Sequence, residues 1–443
     1  MPNLLFIAYP FPPAPFSGAN RTWPLAKYLS RLGWTVTVVS ARDPAYSRRA
    51  ASEAMADMCR AEGVKLITVG TGTWAPDDAG AAIPRIERLK SDWRRCSQGL
   101  LRRVLRMGDP ELWCFRCGVR LLACSGLQPD AILATGMPFG SFVLARALSR
   151  YFGAPYVLDY RDPWTANPYR ADAQAPVTTA LEVWALSRAS ATVMVSPSQA
   201  SAQSRCFPRF TQPEVLTNGY DPEMLSSVKE KFQSKCVIVY AGILYPGKRD
   251  LDPILAALAR SSTSELHAAR PLELHYYGPH NDLVSHTASK HGVSSRVVLH
   301  GLVSRAEVLS AVKSAHAAIV VTGMSDEASL AERGIVTGKI FEAIGLGTPV
   351  LLISPRDSDA RQLLTDTKGG VAFCASQVDD IARWLVALAS RPRISKSPPS
   401  ICSWVTLSKR LDSLLRSAIA APGNCTVPMV ARDDRVPDRS DAS

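Results

Sequence analysis

The chain has 443 residues, of which 47% are apolar and 20% are charged, and its formal net charge is +12. At about 100–200 residues per domain, this length predicts two folded domains, and the composition excludes a largely disordered chain. No apolar run reaches the roughly 18–20 residues that span a bilayer, and prolines interrupt the short apolar run in residues 1–13. We therefore expect a cytoplasmic protein without a signal peptide.

The first half alternates short β-branched or apolar runs with stretches of helical spacing. Strands are predicted over residues 4–8, 34–40, 131–134, 156–159 and 192–195, and helices over 19–32, 142–152 and 180–190. Such alternation predicts a parallel sheet covered on both faces. We assign residues 1–215 to this first domain.

After a looser stretch, residues 216–235, which we interpret as an interdomain linker, the same alternation restarts. Strands are predicted over 236–240, 272–277, 297–299, 317–321 and 349–353, and helices over 251–260, 305–315, 338–345, 359–364 and 404–419. Residues 236–400 form the second domain, and we expect helix 404–419 to pack back on the first. Residues 421–443 lack periodicity and predict a disordered tail.

The expected fold is thus an α/β protein with two Rossmann-like, doubly wound domains that face each other across a cleft. In open α/β sheets, ligands bind beyond the carboxyl ends of the strands. We therefore searched those strand ends for chemistry.

Residues 337–349, TGKIFEAIGLGTP, carry the strongest pattern. Gly338 and Lys339 open a helix whose free N–H groups and dipole favour phosphate. Thr337 and Lys339 can reach that phosphate. Glu342, one turn later, can accept hydrogen bonds from both hydroxyls of a ribose. The spacing of the glycines excludes a Walker A loop. An ordinary helix N-cap at Thr337 is the structural alternative.

Residues 240–249, YAGILYPGKR, form a second pattern in which a strand runs into a Gly-containing loop at Gly242. Lys248 and Arg249 can neutralise a diphosphate as it leaves. A basic pair on a solvated surface is the alternative interpretation.

In the first domain, Asp159, Arg161 and Asp162 follow a strand at its carboxyl end, where cleft residues belong. Asp162 precedes a proline and is also compatible with a structural turn.

These segments together resemble GT-B glycosyltransferases of family 4. Residues 337–349 resemble the donor-binding helix of that family, and residues 240–249 resemble its Gly loop and basic pair. Residues 129–141 and 156–164 look like the "ATGPPFS" and "DFRDPW" segments of a bacterial subgroup, and residues 195–200 and 215–223 resemble the interdomain region. The resemblance runs from about residue 3 to residue 420.

The resemblance implies that the first domain binds an acceptor and the second binds a nucleotide-sugar donor. Glu342 matches the second glutamate of the family's Glu-x7-Glu motif, whereas Gly334 stands where the first glutamate is expected. The donor-binding residues implied are Gly242, Lys248, Arg249, Thr337, Gly338, Lys339 and Glu342. The acceptor and phosphate loops implied are Ser17, Gly18, Ala19, Gly136, Asp159 and Arg161. The catalytic residues implied are Asp162, Lys248 and Arg249.

The seven histidines all lie beyond residue 266, so the acceptor side offers no histidine base. Family-4 enzymes mostly retain anomeric configuration, and in that mechanism the leaving diphosphate can take the acceptor proton. Asp162 is the best carboxylate if a base is used. We expect no metal and no other cofactor, and interpret Asp357-Ser358-Asp359 as a coincidental DxD. The single CxxC, Cys114 to Cys117, lacks a partner pair at zinc spacing.

Residues 85–106 carry eight Lys or Arg against two acids, with apolar side chains such as Trp93 among them. This composition fits an anionic membrane surface, nucleic acid or a solvated helix face. No nucleic-acid motif accompanies it, so we favour the membrane and expect no nucleic-acid partner.

The expected function is transfer of a sugar, a hexose by analogy, from a UDP- or GDP-linked donor to a glycan or lipid-linked glycan. We expect retention, a place in bacterial cell-surface or exopolysaccharide assembly, and a cytoplasmic protein peripheral to the inner face of the membrane. A non-hydrolysing nucleotide-sugar epimerase and a non-catalytic sugar-nucleotide-binding protein are the alternatives.

Overall fold

The computed structural model describes residues 1–14, 18–42, 49–70, 109–122, 126–167, 176–231, 233–261 and 270–421. Three predictions from the sequence lie outside these residues. They concern Ser17, the basic stretch 85–106 and the tail beyond residue 421.

The first half folds around a seven-stranded parallel sheet in the order β3-β2-β1-β4-β5-β6-β7. Its central strands are mostly apolar because helices cover both faces. The strands are β1 (Asn3–Ile7), β2 (Thr35–Arg42), β3 (Lys65–Gly70), β4 (Ala131–Thr135), β5 (Tyr156–Tyr160), β6 (Ala191–Met194) and β7 (Glu214–Val215).

Two helix layers cover this sheet. The described helices of this half are α1 (Ala19–Arg31), α2 (Arg49–Ala61), α3 (Asp109–Leu122), α4 (Gly140–Phe152), α5 (Pro176–Leu186), α6 (Pro197–Cys206) and the short α7 (Pro222–Ser226). Helices α1 and α2 share one core cluster with the sheet, and α3 to α6 share the other.

The second half folds around a six-stranded parallel sheet in the order β10-β9-β8-β11-β12-β13. The strands are β8 (Cys236–Ala241), β9 (Leu272–Tyr277), β10 (Val297–Gly301), β11 (Ala317–Val321), β12 (Val350–Ile353) and β13 (Gly370–Phe373). The described helices are α8 (Asp252–Arg260), α9 (Asn281–Lys290), α10 (Arg305–Ser314), α11 (Leu330–Arg333), α12 (Gly338–Gly345), α13 (Asp359–Thr367), α14 (Val378–Ala389) and α15 (Trp404–Ala420).

In both sheets, the order in which successive strands are added reverses at an equivalent strand. In the first sheet β1 lies between β2 and β4, and in the second β8 lies between β9 and β11. Such a topological switch point opens a crevice at the carboxyl ends of the two central strands. The loops after β1, β4, β8 and β11 are therefore placed to hold ligands.

The chain crosses between the halves twice. The first crossing runs from the end of β7 to the start of β8, and the second brings α15 back to pack against α1. Trp404, the first residue of α15, is only 2% exposed and joins the core of the first half. The described helices include none long and apolar enough to cross a membrane.

The carboxyl edges of the two sheets contact each other. Ser196, after β6, donates its hydroxyl hydrogen bond to the Gly334 carbonyl at 2.8 Å. Ser198 donates from its backbone N–H and its Oγ to the Asp359 carboxylate, both at 2.8 Å. The fold is therefore two Rossmann-like units whose ligand-binding edges face each other.

Candidate active site

The switch point of the second sheet contains a small open cavity of about 100 Å³ between the loops that follow β8 and β11. It brings the predicted basic loop after β8 together with the loop after β11, more than 70 residues further along the chain. Its lining residues are Gly247, Lys248, Thr322, Gly323, Met324, Ser325, Ala328, Glu332 and Pro355.

Lys339, in the first turn of α12, has an ammonium group that lies against the loop after β8. Its Nζ is 5.0 Å from the centroid of the Tyr240 ring, and a Cβ added to Gly242 would lie 2.1 Å from it. Within the described part of the chain, Nζ has neither a hydrogen-bond acceptor nor an ion-pair partner. Burial first, and then the nearby charge of Arg249, lower the pKa of Lys339 to about 8. A half-buried cation of this kind favours binding of an anion.

The start of α12 is open in the way that a phosphate site requires. Thr337 is the extended N-cap residue, but its hydroxyl makes no capping hydrogen bond. That Oγ1 is enclosed and finds no partner among the residues described. Gly338 is exposed, and a Cβ added there would meet no atom within 4 Å. The fold therefore does not require glycine at 338, whereas close approach of a ligand to the backbone would.

Glu342, one turn further along α12, is held by a residue that the sequence did not single out. Arg305, the first residue of α10, donates from Nη2 to Glu342 Oε1 at 2.7 Å. The Glu342 side chain remains 21% exposed. Arg305 follows the carboxyl end of β10, a position that could have marked it from the sequence.

Lys248 and Arg249 lie on a tight turn that projects beside the cavity. The turn is closed by the Tyr245 N–H, which donates to the Arg249 carbonyl at 2.8 Å, and Gly247 takes a φ of +73°. Lys248 is exposed and lines the cavity. The Arg249 guanidinium lies 5.5 Å from the Tyr245 ring centroid. Together with Lys339, this turn makes the crevice strongly positive, which suits a diphosphate.

In the first half, Arg161 and Gly18 lie together at the carboxyl edge of the sheet. A Cβ on Gly18 would lie 1.8 Å from Arg161 Nη1, so glycine is required there for the guanidinium to pass. Arg161 Nε also donates to the Asp162 carboxylate at 3.3 Å, and Asp162 is 45% exposed. Ala19 is buried as the first residue of α1. Ser17 lies outside the described residues.

Asp159 is placed differently from the other predicted acceptor-side residues. Its carboxylate is 1% exposed and receives Nε and Nη2 of Arg21 at 2.7–3.2 Å. Arg21 also donates to the carbonyls of Leu216 and Thr217, where the chain leaves the first sheet. The structure thus uses Asp159 to join α1, β5 and the crossover, and its carboxylate does not reach the crevice.

Gly136 joins the two loops that look like the "ATGPPFS" and "DFRDPW" segments. Its N–H donates to the Asp159 carbonyl at 2.9 Å, and a Cβ there would lie 2.6 Å from the Phe139 ring. Phe139 stacks on Trp164 with a centroid separation of 5.0 Å. Gly136 therefore fixes the relative position of the loops rather than presenting a side chain.

The possible metal motifs are occupied or enclosed. Asp359 accepts from Ser198, and Asp357 lies 3.7 Å from Arg333, so the DxD carboxylates serve contacts within the protein. The Cys114 and Cys117 side chains are buried. Over the described ranges, no group of three or more His, Cys, Asp or Glu is arranged to hold a metal ion.

Comparison with known proteins agrees with this geometry. Residues 18–219 match the family described as Glycosyl transferase 4-like domain. Sucrose-phosphate synthase from Thermosynechococcus elongatus superposes over 95% of this chain and 100% of its own, with 14% identity and a TM-score of 0.60. No curated protein matches this chain in sequence.

Two further solved structures share the whole fold. The Anabaena protein HepE, in complex with UDP and glucose, covers 94% of this chain and 99% of its own at 15% identity and a TM-score of 0.56. The lipopolysaccharide outer core galactosyltransferase WaaB covers 94% and 99% at 12% identity and a TM-score of 0.54. Residues 18–219 of this chain are therefore similar to a glycosyl transferase 4-like domain, and its two facing Rossmann-like units have the GT-B fold.

Proposed function

We propose that this chain is a glycosyltransferase whose donor is a nucleoside diphosphate sugar, with UDP or GDP as the nucleotide. The enzyme transfers the hexose of this donor to a glycan or lipid-linked glycan and retains the anomeric configuration. The observation that carries the donor assignment is the Lys339 ammonium, half-buried beside Gly242 and without an acceptor among the described residues. The complex of the fold relative HepE with UDP and glucose agrees with such a donor.

The geometry of the crevice supports a specific set of proposed donor contacts. The diphosphate lies against the start of α12, where Thr337 Oγ1 and the Gly338 backbone approach it and Lys339 supplies charge. Lys248 and Arg249 approach from the opposite loop and offset the charge that develops on the leaving diphosphate. Glu342, oriented by Arg305, accepts hydrogen bonds from the ribose hydroxyls.

In the transfer step, the bond between the sugar C1 and the diphosphate oxygen breaks, and a bond forms between C1 and an acceptor hydroxyl oxygen. The hydroxyl proton passes to the leaving diphosphate on the same face of the sugar, which gives retention. Asp162, exposed beside Arg161, is the carboxylate available if the proton instead passes to the protein. No metal is needed for these steps, so activity should persist in EDTA.

We also propose that the acceptor belongs to bacterial cell-surface or exopolysaccharide assembly. The fold relative WaaB acts on the lipopolysaccharide outer core, and the basic stretch 85–106 is suited to an anionic membrane surface. On this proposal the protein works in the cytoplasm, peripheral to the inner face of the membrane.

Release of the nucleoside diphosphate tests the reaction class. UDP- and GDP-sugars are first ranked by thermal shift, and release is then measured with and without candidate acceptors. A transferase releases the nucleoside diphosphate with an acceptor, and NMR of the product gives its anomeric configuration. Conversion of the donor sugar without such release would identify the epimerase alternative, and binding without turnover would identify a non-catalytic protein.

A further inference from the structure

The outer face of the first half carries apolar side chains where solvated helices usually carry polar ones. On α3, Phe115, Val119 and Leu122 are 71%, 58% and 49% exposed. Their spacing of four and three residues places them on one side of the helix. This stripe faces away from the sheet, because Trp113, Cys117 and Leu121 occupy the buried side.

Helix α5 repeats the arrangement. Val177, Leu181 and Trp184 are 65%, 41% and 39% exposed and have the same spacing. The buried side of α5 instead contains Glu182, whose carboxylate is fully enclosed and accepts from Thr165 and Gln203. Ala185 and Leu186 are buried beside Glu182, so this helix carries apolar side chains on its exposed side as well as on its buried side.

Helix α4 lies between the two stripes and packs against both neighbours. Its Arg146 guanidinium sits 4.1 Å from the centroid of the Trp184 ring, and Tyr151 at its end is 65% exposed. We call the outward side of α3, α4 and α5 the outer face. An apolar surface of this breadth on a water-soluble fold marks an interaction site.

Basic residues predominate on the segments that carry these apolar side chains, although the first turn of α3 contains Asp109 and Glu111. Over residues 113–122, 140–152 and 176–188, the buried Glu182 is the sole acid. The basic residues in these ranges are Arg116, Arg120, Arg146, Arg150 and Arg188. Arginines among exposed aromatic and aliphatic side chains match an anionic lipid surface, which attracts the cations and accepts the apolar groups.

We propose that the outer face docks on an anionic lipid bilayer, with Phe115 and Trp184 entering the headgroup region. The proposal goes beyond sugar transfer, since it concerns a surface away from the crevice. Residues 71–108 adjoin α3 and are another conceivable cover for this face, but their stretch 85–106 is itself basic and is repelled by the arginines. A bilayer of anionic lipid attracts both.

Vesicle flotation tests this proposal with the full chain and needs neither donor nor acceptor. Vesicles of phosphatidylcholine with phosphatidylglycerol are compared with pure phosphatidylcholine at about 50 mM and about 500 mM salt, where screening lengths differ several-fold. The wild type should float with the anionic vesicles at low salt. Phe115→Ser combined with Trp184→Ser should lower the partition coefficient at least about tenfold, since two exposed aromatic anchors are lost.

Matched controls separate the outer face from general stickiness. Met58→Ser combined with Ile394→Ser removes two apolar side chains, 49% and 54% exposed, from other surfaces, and should leave partitioning unchanged. A triple change to Ser at Arg120, Arg150 and Arg188 should reduce the salt dependence of vesicle binding. The reduction should be larger than that caused by the same change at Arg60, Arg260 and Arg383. Thermal melting and nucleoside diphosphate release with a soluble acceptor confirm that each variant is folded.

Three results would overturn the proposal. These are absence of wild-type flotation at low salt, equal flotation with neutral vesicles, and unchanged flotation of the Phe115 and Trp184 double variant. Strong amide-exchange protection of the exposed sides of α3 and α5 in the protein alone would show that residues 71–108 cover the face instead. Failure of the transfer reaction would leave the vesicle result intact, so the two outcomes are distinguishable.

Discussion

At the scale of single residues, the Lys339 ammonium shows how the crevice is prepared for an anion before one arrives. Burial beside Tyr240 and the charge of Arg249 both disfavour its protonated form. The Glu342 carboxylate acts in the opposite direction, but it is paired with Arg305. Its desolvation therefore costs free energy in the empty protein, and a bound diphosphate would recover that cost. On the proposed donor site, this energetic cost favours binding of a charged ligand rather than stability of the fold.

The pKa of Lys339, about 8, makes donor affinity depend on pH. Only the protonated amine attracts the diphosphate, so affinity should be constant below pH 7 and fall as pH rises through 8, by up to about tenfold per pH unit. Calorimetric titration of the donor between pH 6.5 and 9.5 measures this. Lys339→Met should bind weakly and lose the dependence over this range, whereas Lys409→Met, at an exposed lysine on α15, should retain the wild-type profile. A wild-type affinity that rises with pH would contradict the assignment.

Gly338 separates what the fold needs from what the ligand needs. Because a Cβ at 338 meets no protein atom, Gly338→Ala should leave the melting temperature unchanged or raise it, since alanine stabilises a helix by up to about 1 kcal/mol relative to glycine. Donor affinity should nevertheless fall about tenfold, because the methyl group occupies the path of the phosphate. Thermal melting and donor titration on one preparation measure both effects.

Gly370→Ala provides the contrasting case. Its Cβ would lie 2.0 Å from the Val350 carbonyl oxygen inside the second sheet. This variant should melt at a lower temperature, and its folded fraction should bind donor normally. If Gly338→Ala instead lowered stability and spared donor affinity, Gly338 would be a structural residue.

At the scale of elements, Arg305 and Glu342 connect α10 to α12 across the carboxyl edge of the second sheet. Glu342→Ala should weaken donor binding by about 1–3 kcal/mol, the range for hydrogen bonds to a charged group. Arg305→Ala should weaken it less, because it removes orientation of the carboxylate and not the carboxylate itself. If Arg305 acts through Glu342, the double variant should lose less than the sum of the single losses, by about 0.5–3 kcal/mol.

Donor titrations of the four proteins complete this cycle. Arg305→Lys, which keeps the charge, should recover part of the loss. Full additivity would show that Arg305 contacts the donor independently of Glu342 or does not act on it at all.

Most central strands, and the alternation of strands and helices along the chain, could be predicted from the sequence. Parallel strands buried on both faces appear in it as continuous apolar runs. Leu272–Tyr277, Ala317–Val321 and Gly338–Gly345 agree with their predicted bounds at both ends. Helix α5 begins four residues before its predicted start, at Pro176, whose fixed φ suits the first turn. Apolar residues on both the buried and the exposed side of this helix weaken its periodicity, and this explains the displacement.

Several peripheral elements were not predicted. Helix α9 has few apolar residues and buries only Val284 and Ala288, so its periodicity is weak. The edge strand β13 is short and half-buried throughout. Helix α14, by contrast, carries a regular apolar spacing from Ile381 to Ala389 that could have been recognised in the sequence.

For the site, the sequence located the loops better than the roles of individual side chains. Loop positions follow from topology, since Gly242, Lys339 and their neighbours come after the two central strands. Partners do not follow from topology. Neither the burial of Asp159 under Arg21 nor the contact of Arg305 with Glu342 has a local signal, because each pair is separated by more than 30 residues.

At the scale of the whole molecule, the two halves touch through a few specific contacts between their ligand-binding edges. Ser196 and Ser198 at the start of α6 reach Gly334 and Asp359 of the second half. On the other side, Arg21 and Lys27 of α1 bind the crossover, through the Leu216 carbonyl and the Asp221 carboxylate. Helix α1 and helix α6 thus set how far apart the donor and acceptor edges lie, and therefore how closely the reacting groups approach.

Gly334 lies at the contact between the two halves, and it is also the residue that departs from the Glu-x7-Glu pattern. A Cβ on Gly334 would lie 2.7 Å from Gln199 Cγ, 2.8 Å from Ser196 Oγ and 3.0 Å from the Gln199 backbone nitrogen. A glutamate at this position therefore cannot coexist with the observed contact between α6 and α11. Gly334→Glu, which restores the family pattern, should force the halves apart. We expect turnover to fall at least about tenfold and the small-angle scattering radius of gyration to increase. Donor affinity should change little, because the proposed donor contacts all lie in the second half.

Relief of the clash gives the decisive comparison. Gln199→Ala and Ser196→Gly remove the two side chains that the new glutamate would meet, so adding them to Gly334→Glu should return the scattering profile toward that of the wild type. The same two changes in a protein that keeps Gly334 control for their own effect on the interface. If Gly334→Glu alone increased turnover with an unchanged radius of gyration, the result would show that Gly334 replaces a glutamate that contacts the sugar. Lower turnover with a more open molecule would instead show that this enzyme uses position 334 to seat its two halves against each other.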